Sequence, residues 1–234
     1  MSLRLVPKAI KPADLKNVNK FMGDLKARDK IMRFVQYFSK FVVMQLKQMD
    51  GKSDLANRIE LLSKAIGLHR KAFKIGSFLE EYQKFLEILR DTKDDPKRLL
   101  NLVLRACMAI FTVLDNLVWF VSLKVIDLDK DALKMKAYKF RLAAAAISTV
   151  TSVMDFQKQA KVVASAKDDT ERVKAEEKQG ANVVGLAKNV FDVVTYGNSA
   201  ELVKAVRGSS YDDNVIGLVG AASSAAAMYS IWTK

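Results

Sequence analysis

Apolar residues recur at helical spacing along almost the whole chain, and the alternating runs that a half-buried strand needs are scarce. The pattern is clearest over 28–49. At about 100° per residue, Ile31, Val35, Phe38, Val42, Leu46 and Met49 fall on one narrow face, flanked by Phe34 and Phe41. Arg33, Lys40 and Lys47 recur on the opposite face with Gln36 between them, and Asp50-Gly51 supplies a helix stop. Two uses fit these faces. One is a bundle helix with a solvated basic side; the other is a helix lying in a membrane interface, aromatics among acyl chains and cations at headgroups.

A second long helix is predicted over 54–92. Leu61, Leu68, Ile75, Tyr82 and Leu89 repeat every seven residues, and Ala65, Ala72, Leu79 and Leu86 follow at +4. That is a seam for the preceding helix or for a second subunit. Asp94-Asp95-Pro96 then breaks the chain, with Asp95 as N-cap and Pro96 at the first helical position. The run 99–126 exceeds the roughly 20 residues that span a bilayer. One face of it nevertheless carries Asn101, Arg105, Thr112, Asp115, Asn116 and Trp119, and such a face turns to other helices or to water.

Beyond it come a charged stretch (127–141), an uncharged stretch short for a span (142–154), a charge-balanced connector (158–180) and an amphipathic helix (183–206). The run 214–232 has no charge and ends in Tyr229 and Trp232, with Lys234 beyond. Its small residues recur four apart (Gly217 and Ala221, Gly220 and Ser224, Ala221 and Ala225), as in closely packed membrane helices. An alanine-rich core helix is the alternative. The expected fold is therefore all-α, a membrane-embedded helical bundle with N-terminal amphipathic helices and about two transmembrane helices, 103–123 and 214–232. Its basic amphipathic region is 1–95 and its hydrophobic membrane-embedded region 96–234.

Charge sharpens this division. Residues 1–100 hold 22 Lys/Arg against 12 Asp/Glu, a net of +10, whereas the rest holds 17 against 14, a net of +3. A basic front half implies a polyanionic partner, either phospholipid headgroups or nucleic acid. Bulky hydrophobes opposite Arg33, Lys40 and Lys47 favour lipid. The single cysteine, Cys107, excludes a disulfide framework. Met1 to Pro12 holds no apolar stretch fit for a secretory signal.

Enzyme chemistry finds no foothold. There is no glycine-rich phosphate loop and no Cys/His cluster, and His69 beside Arg70 and Lys71 reads as a surface histidine. No catalytic residue, metal site or cofactor is expected.

Three blocks carry a family resemblance. They are Ala27-Arg28-Asp29-Lys30-Ile31 through Arg33-Phe34-Val35-Gln36-Tyr37-Phe38 to Lys40-Phe41, then His69-Arg70-Lys71-Ala72-Phe73-Lys74-Ile75-Gly76-Ser77-Phe78, then Asp115-Asn116-Leu117-Val118-Trp119. In this order, followed by a Gly/Ala-rich hydrophobic C-terminal run, they resemble the peroxin-11 family of peroxisome-proliferation proteins. Ala27 stands where that family usually has Gly, and His69 where it has Ser. The size and the divergent second half also look like the glycosomal integral membrane branch.

The resemblance implies a multi-pass protein of the peroxisome or glycosome membrane with cytosolic termini. It further implies a protein that self-associates and promotes elongation and division of the organelle. Partners implied in the same way are an import receptor for peroxisomal membrane proteins and the organelle fission machinery, with no nucleic acid.

The matching mechanism inserts Ile31, Phe34, Val35, Phe38, Phe41 and Val42 into the membrane while Arg28, Lys30, Arg33, Lys40 and Lys47 meet anionic headgroups. Self-association would use Leu61, Leu68, Ile75 and Leu79, or the small-residue face Gly217, Gly220, Ala221 and Ser224. An oligomeric metabolite channel lined by Arg105, Thr112, Asp115 and Asn116 is the first alternative. A soluble basic helical nucleic-acid-binding protein is the second.

Overall fold

A computed structural model describes residues 15–51, 53–91 and 95–233. The readings made for Met1 to Pro12, Asp94 and Lys234 lie outside the described residues. The fold is all-α: α1 (Leu15–Gly23), α2 (Leu25–Met49), α3 (Asp54–Ala72), α4 (Ser77–Arg90), α5 (Arg98–Ser122), α6 (Lys130–Ala164), α7 (Asp169–Ser199), α8 (Leu202–Arg207) and α9 (Asp213–Trp232). Two of these, α5 and α9, are long and apolar enough to cross a membrane.

Local chemistry sets the helix ends. The Asp24 carboxylate accepts from Lys26 N (2.6 Å) and Ala27 N (3.3 Å), so α2 starts three residues before the amphipathic pattern. Ser53, Asp129, Asp168 and Asp212 cap α3, α6, α7 and α9 in the same way. Asp95 accepts from Lys97 N (2.9 Å), which makes the predicted cap the start of a turn; α5 itself begins at Arg98.

Three predicted elements are corrected. The helix expected over 54–92 divides at 73–76, where Gly76 takes a left-handed φ of 78°. The uncharged 142–154 stretch is the middle of α6, a helix of 35 residues. The helix expected over 183–206 stops at Ala200, and Glu201 turns the chain at φ 60° into the short α8.

The helices lie side by side in the order α3, α2, α9, α7, α6, α5, α4, and α3 also meets α5, so the arc closes on itself. The two regions divided at 95/96 thus share one bundle. α2 and α9 run antiparallel: Trp232 at the end of α9 stacks edge-on against Phe21 of α1, just ahead of α2 (centroids 5.4 Å apart), and Lys40 further along α2 reaches Asp213 at the start of α9 (3.1 Å). α6 and α7 form an antiparallel hairpin. Asn189 donates to Ser152 (2.8 Å), Asn182 to the Asp155 carbonyl (3.4 Å) and Gln159 to the Ala175 carbonyl (3.1 Å).

Lys47 of α2 meets Glu60 of α3 at 2.7 Å, and hydrogen bonds from Lys47 and Lys64 hold the Glu60 carboxyl down to about 2. A folded-state value below the ordinary 4.5 stabilises above that value and is lost as pH falls to about 2. The pair is solvent-exposed, so the effect is small. At pH 5 the bonds beside Met49 and Leu55, at the end of α2 and the start of α3, should resist pepsin better in the wild-type chain than in Glu60→Gln, and this gap should close as pH falls to about 2. A gap that stays constant with pH would refute the clip.

Candidate membrane interface and buried ionic core

The distribution of side chains in this bundle is inverted relative to that of a water-soluble domain. Its buried apolar positions are mostly alanine (Ala27, Ala56, Ala137, Ala144, Ala145, Ala221 and Ala227 among them), and no leucine is buried among the described residues. Asp29, Arg33, Ser39, Thr112, Asp115, Asn116, Asp192, Thr195, Ser223 and Ser224 are buried instead. Large hydrophobes point out: Val35 and Phe38 on α2, Val103, Ile110 and Val113 on α5, Val215 and Leu218 on α9. In water this arrangement would forfeit the hydrophobic driving force. In a bilayer it is favourable, because lipid solvates the outer apolar surface while polar groups find partners inside.

The interior is organised by carboxylates. Asp192 of α7 is 1% exposed and binds three cations from three helices: Arg33 of α2 (2.7 Å), Arg141 of α6 (3.1 Å) and Lys188 of α7 (3.4 Å). Ser223, midway along α9, donates to the same carboxylate at 2.6 Å. Arg141 also points Nη1 at the Met108 sulfur (3.6 Å), close to the middle of α5. The cluster therefore sits at mid-length of both membrane-length helices.

The Arg33 and Arg141 guanidiniums stack over the Tyr196 ring (5.6 and 4.6 Å to the centroid), and Arg33 also lies over Tyr37 (5.4 Å). A second group joins Asp29 to Lys30 (2.8 Å) and Arg70 (3.0 Å), with Arg70 also donating to Gln36 (2.6 Å). A third joins Asp115 to Lys71 and Lys74. Arg70, Lys71 and Lys74, spaced as neighbours on one side of a helix, all turn inward to buried carboxylates.

Close backbone approach joins α2 to α9. A Cβ on Gly217 would stand 2.8 Å from Phe41 N and 2.9 Å from the Tyr37 carbonyl, and one on Gly220 would overlap the Tyr37 ring. Only residues without a side chain let the two helices meet here.

A family description fits this chain over nearly its full described length: the model for Peroxisomal biogenesis factor 11 matches residues 15–232. The chain belongs to the Peroxisomal biogenesis factor 11 family. Peroxisomal membrane protein 11C of Arabidopsis thaliana is 30% identical to it over 107 residues, 46% of this chain and 42% of that relative. The chain thus matches less than half the length of that curated relative. No solved structure matches.

Membership of the Peroxisomal biogenesis factor 11 family places this chain among peroxisomal membrane proteins. The predicted contact residues separate by location. On the outward side of α2, Val35 and Phe38 are exposed and Ile31, Phe34, Phe41 and Val42 half-buried. Phe34 and Phe38 stack at 5.8 Å, and Phe38 and Phe41 follow at 6.1 Å, making one aromatic ridge. Arg28 is exposed, Lys30 half-buried against Asp29, and Lys40 and Lys47 engage Asp213 and Glu60.

Arg33 is a correction: at 2% exposure it lies inside the bundle on Asp192, where no headgroup reaches it. The small-residue face is a second correction. Gly217, Gly220, Ala221 and Ser224 are buried, Gly217 and Gly220 directly against α2 of the same chain, so this face is not free for another copy. On α3 and α4, by contrast, Leu61, Ile75 and Leu79 are exposed and Leu68 half-buried.

The candidate pore residues lie where α5 meets α3 and α4. Thr112, Asp115 and Asn116 are buried, with Asp115 held by Lys71 and Lys74, and Arg105 donates to Glu81 at 2.9 Å. Within one chain these groups tie α5 to α3 and α4 and do not line an open passage. Sequence reasoning did not single out Tyr196 or Ser223, and no periodicity joins Arg141 to Asp192.

Proposed function

We propose that this family member remodels and elongates the peroxisomal or glycosomal membrane as a multi-pass protein with cytosolic termini. In this reading α5 and α9 cross the bilayer and the aromatic ridge of α2 inserts among acyl chains. The observation that carries it is the orientation of α2, with Val35 and Phe38 exposed, Phe34 and Phe41 half-buried beside them, and Asp29, Arg33 and Ser39 buried. A helix turned this way gains by inserting its apolar face, and its buried charges Asp29 and Arg33 are already paired inside the bundle.

Because α2 runs alongside α9, the wedge is the α2–α9 pair and not a lone helix lying flat. Exposed Leu61, Ile75 and Leu79 on α3 and α4 offer a surface for self-association, which would concentrate such wedges and convert local leaflet expansion into curvature.

Full-length protein reconstituted into vesicles should draw them into tubules. The variant Phe34→Ser/Phe38→Ser should lose this activity while resisting carbonate extraction as the wild type does, because α5 and α9 are untouched. Undiminished tubulation by that variant would sink the insertion mechanism. Release of the wild-type chain by carbonate would sink the membrane-spanning reading.

A further inference from the structure

A cleft of about 730 Å³ lies between the distal parts of α6 and α7, well away from α2 and the Asp192 cluster. Lys158, Lys174 and Lys178 line it together with Asp155 and Glu171. Both acids are engaged: Asp155 is paired with Lys97, and Glu171 accepts from the Lys167 amide at 3.2 Å. Among the described residues none of the three lysines has an ion-pair or hydrogen-bond partner. The cleft thus presents three ammonium groups against one carboxylate paired with Lys97 and one, Glu171, that keeps its charge, a net positive excess that attracts a polyanion.

Its position narrows the choice. Lys97, the residue before α5, is bonded to Asp155 at the inner end of the cleft, so that end is level with the start of the membrane-length helix. From Asp155 the last turns of α6 rise about 1.5 Å per residue to Ala164. The cleft therefore opens through the layer where headgroup phosphates lie, as basic pockets beside membrane helices do when they hold phosphorylated headgroups.

We infer that the cleft lined by Lys158, Lys174 and Lys178 is a binding site for a multiply phosphorylated headgroup, carried either by a membrane lipid or by a soluble compound. The headgroup-level placement rests on α5 crossing the membrane, whereas the phosphate chemistry does not.

The test uses full-length protein in two settings. Calorimetry in a neutral detergent with inositol trisphosphate should show saturable binding. The variant Lys158→Gln/Lys174→Gln/Lys178→Gln should bind about a hundredfold more weakly, and Lys161→Gln should bind as the wild type does. In nanodiscs, acetylation of the three lysines should be suppressed by phosphatidylinositol bisphosphate but not by phosphatidylserine at matched charge.

Binding of the soluble headgroup without nanodisc protection would support the site and assign it a soluble ligand. Absence of binding in both settings, or equal protection by phosphatidylserine, would overturn the inference. Neither result would touch the tubulation experiment, so failure of this site and failure of the membrane-remodelling reading are separable.

Discussion

Asp192→Ala should destabilise the folded protein by about 3–5 kcal/mol, the largest effect expected of any single substitution in this chain. The carboxylate is the shared counter-ion of Arg33, Arg141 and Lys188, and it also accepts from Ser223. Its removal leaves like charges facing one another inside the bundle, both guanidiniums lying over the Tyr196 ring. Arg33→Met should be milder, because Asp192 keeps two cations and the methionine fills much of the vacated space. Placed in the Asp192→Ala background, the same change should restore part of the loss by removing one stranded charge. Thermal unfolding in detergent, followed by the fluorescence of Trp119 and Trp232, measures all four proteins. If Asp192→Ala melts with the wild type, or if Arg33→Met is the worse single change, the cluster does not hold the bundle together.

Gly217→Val is the second large expectation, at about 1–3 kcal/mol. The obstacle there is the Phe41 amide nitrogen and the Tyr37 carbonyl, which are backbone and cannot rotate away, so α2 as a whole must shift. Gly220→Val meets the Tyr37 ring, which has some freedom to turn, and should cost less. Ala225→Val supplies the control, since Ala225 is exposed. Melting temperatures in the order Ala225→Val, Gly220→Val, Gly217→Val, from highest to lowest, are expected. A Gly217 variant as stable as the control would show that α2 and α9 are not packed backbone to backbone. The same substitution should expose the Lys40 and Lys47 region to trypsin, because α9 is the main support of that stretch of α2.

These two positions show where sequence reading succeeds and where it stops. The spacing of Gly217, Gly220, Ala221 and Ser224 announces a helix face built for close approach, and that is how the face is used. The identity of the helix that approaches is a different matter. A second copy and a distant segment of the same chain satisfy the same spacing, and only the fold shows that α2, some 180 residues earlier by order of magnitude, takes the place. Arg33 is the parallel case. Its seven-residue spacing with Lys40 and Lys47 groups all three on one face, yet the face divides: Arg33 finds a carboxylate from α7, whereas Lys40 and Lys47 lie past the buried zone on exposed acids. Periodicity reports which residues share a side of a helix and says nothing of how deeply each point along that side is covered.

The all-α class, the positions of the two membrane-length helices, the amphipathic character of α2 and the family were determined by the sequence alone. Each depends on local periodicity, capping chemistry or ordered motifs, and these survive in a linear string of residues. The tertiary structure alone decided that the apolar side of α2 faces outward, that the α3–α4 seam is broken at Gly76 yet open to a partner, and that Asp192 gathers cations from α2, α6 and α7. The reason is physical. An ion pair between residues 159 positions apart leaves no periodic trace, and in a bilayer the outward side of a helix is as apolar as the interior of a soluble domain, so hydrophobicity alone no longer tells inside from outside.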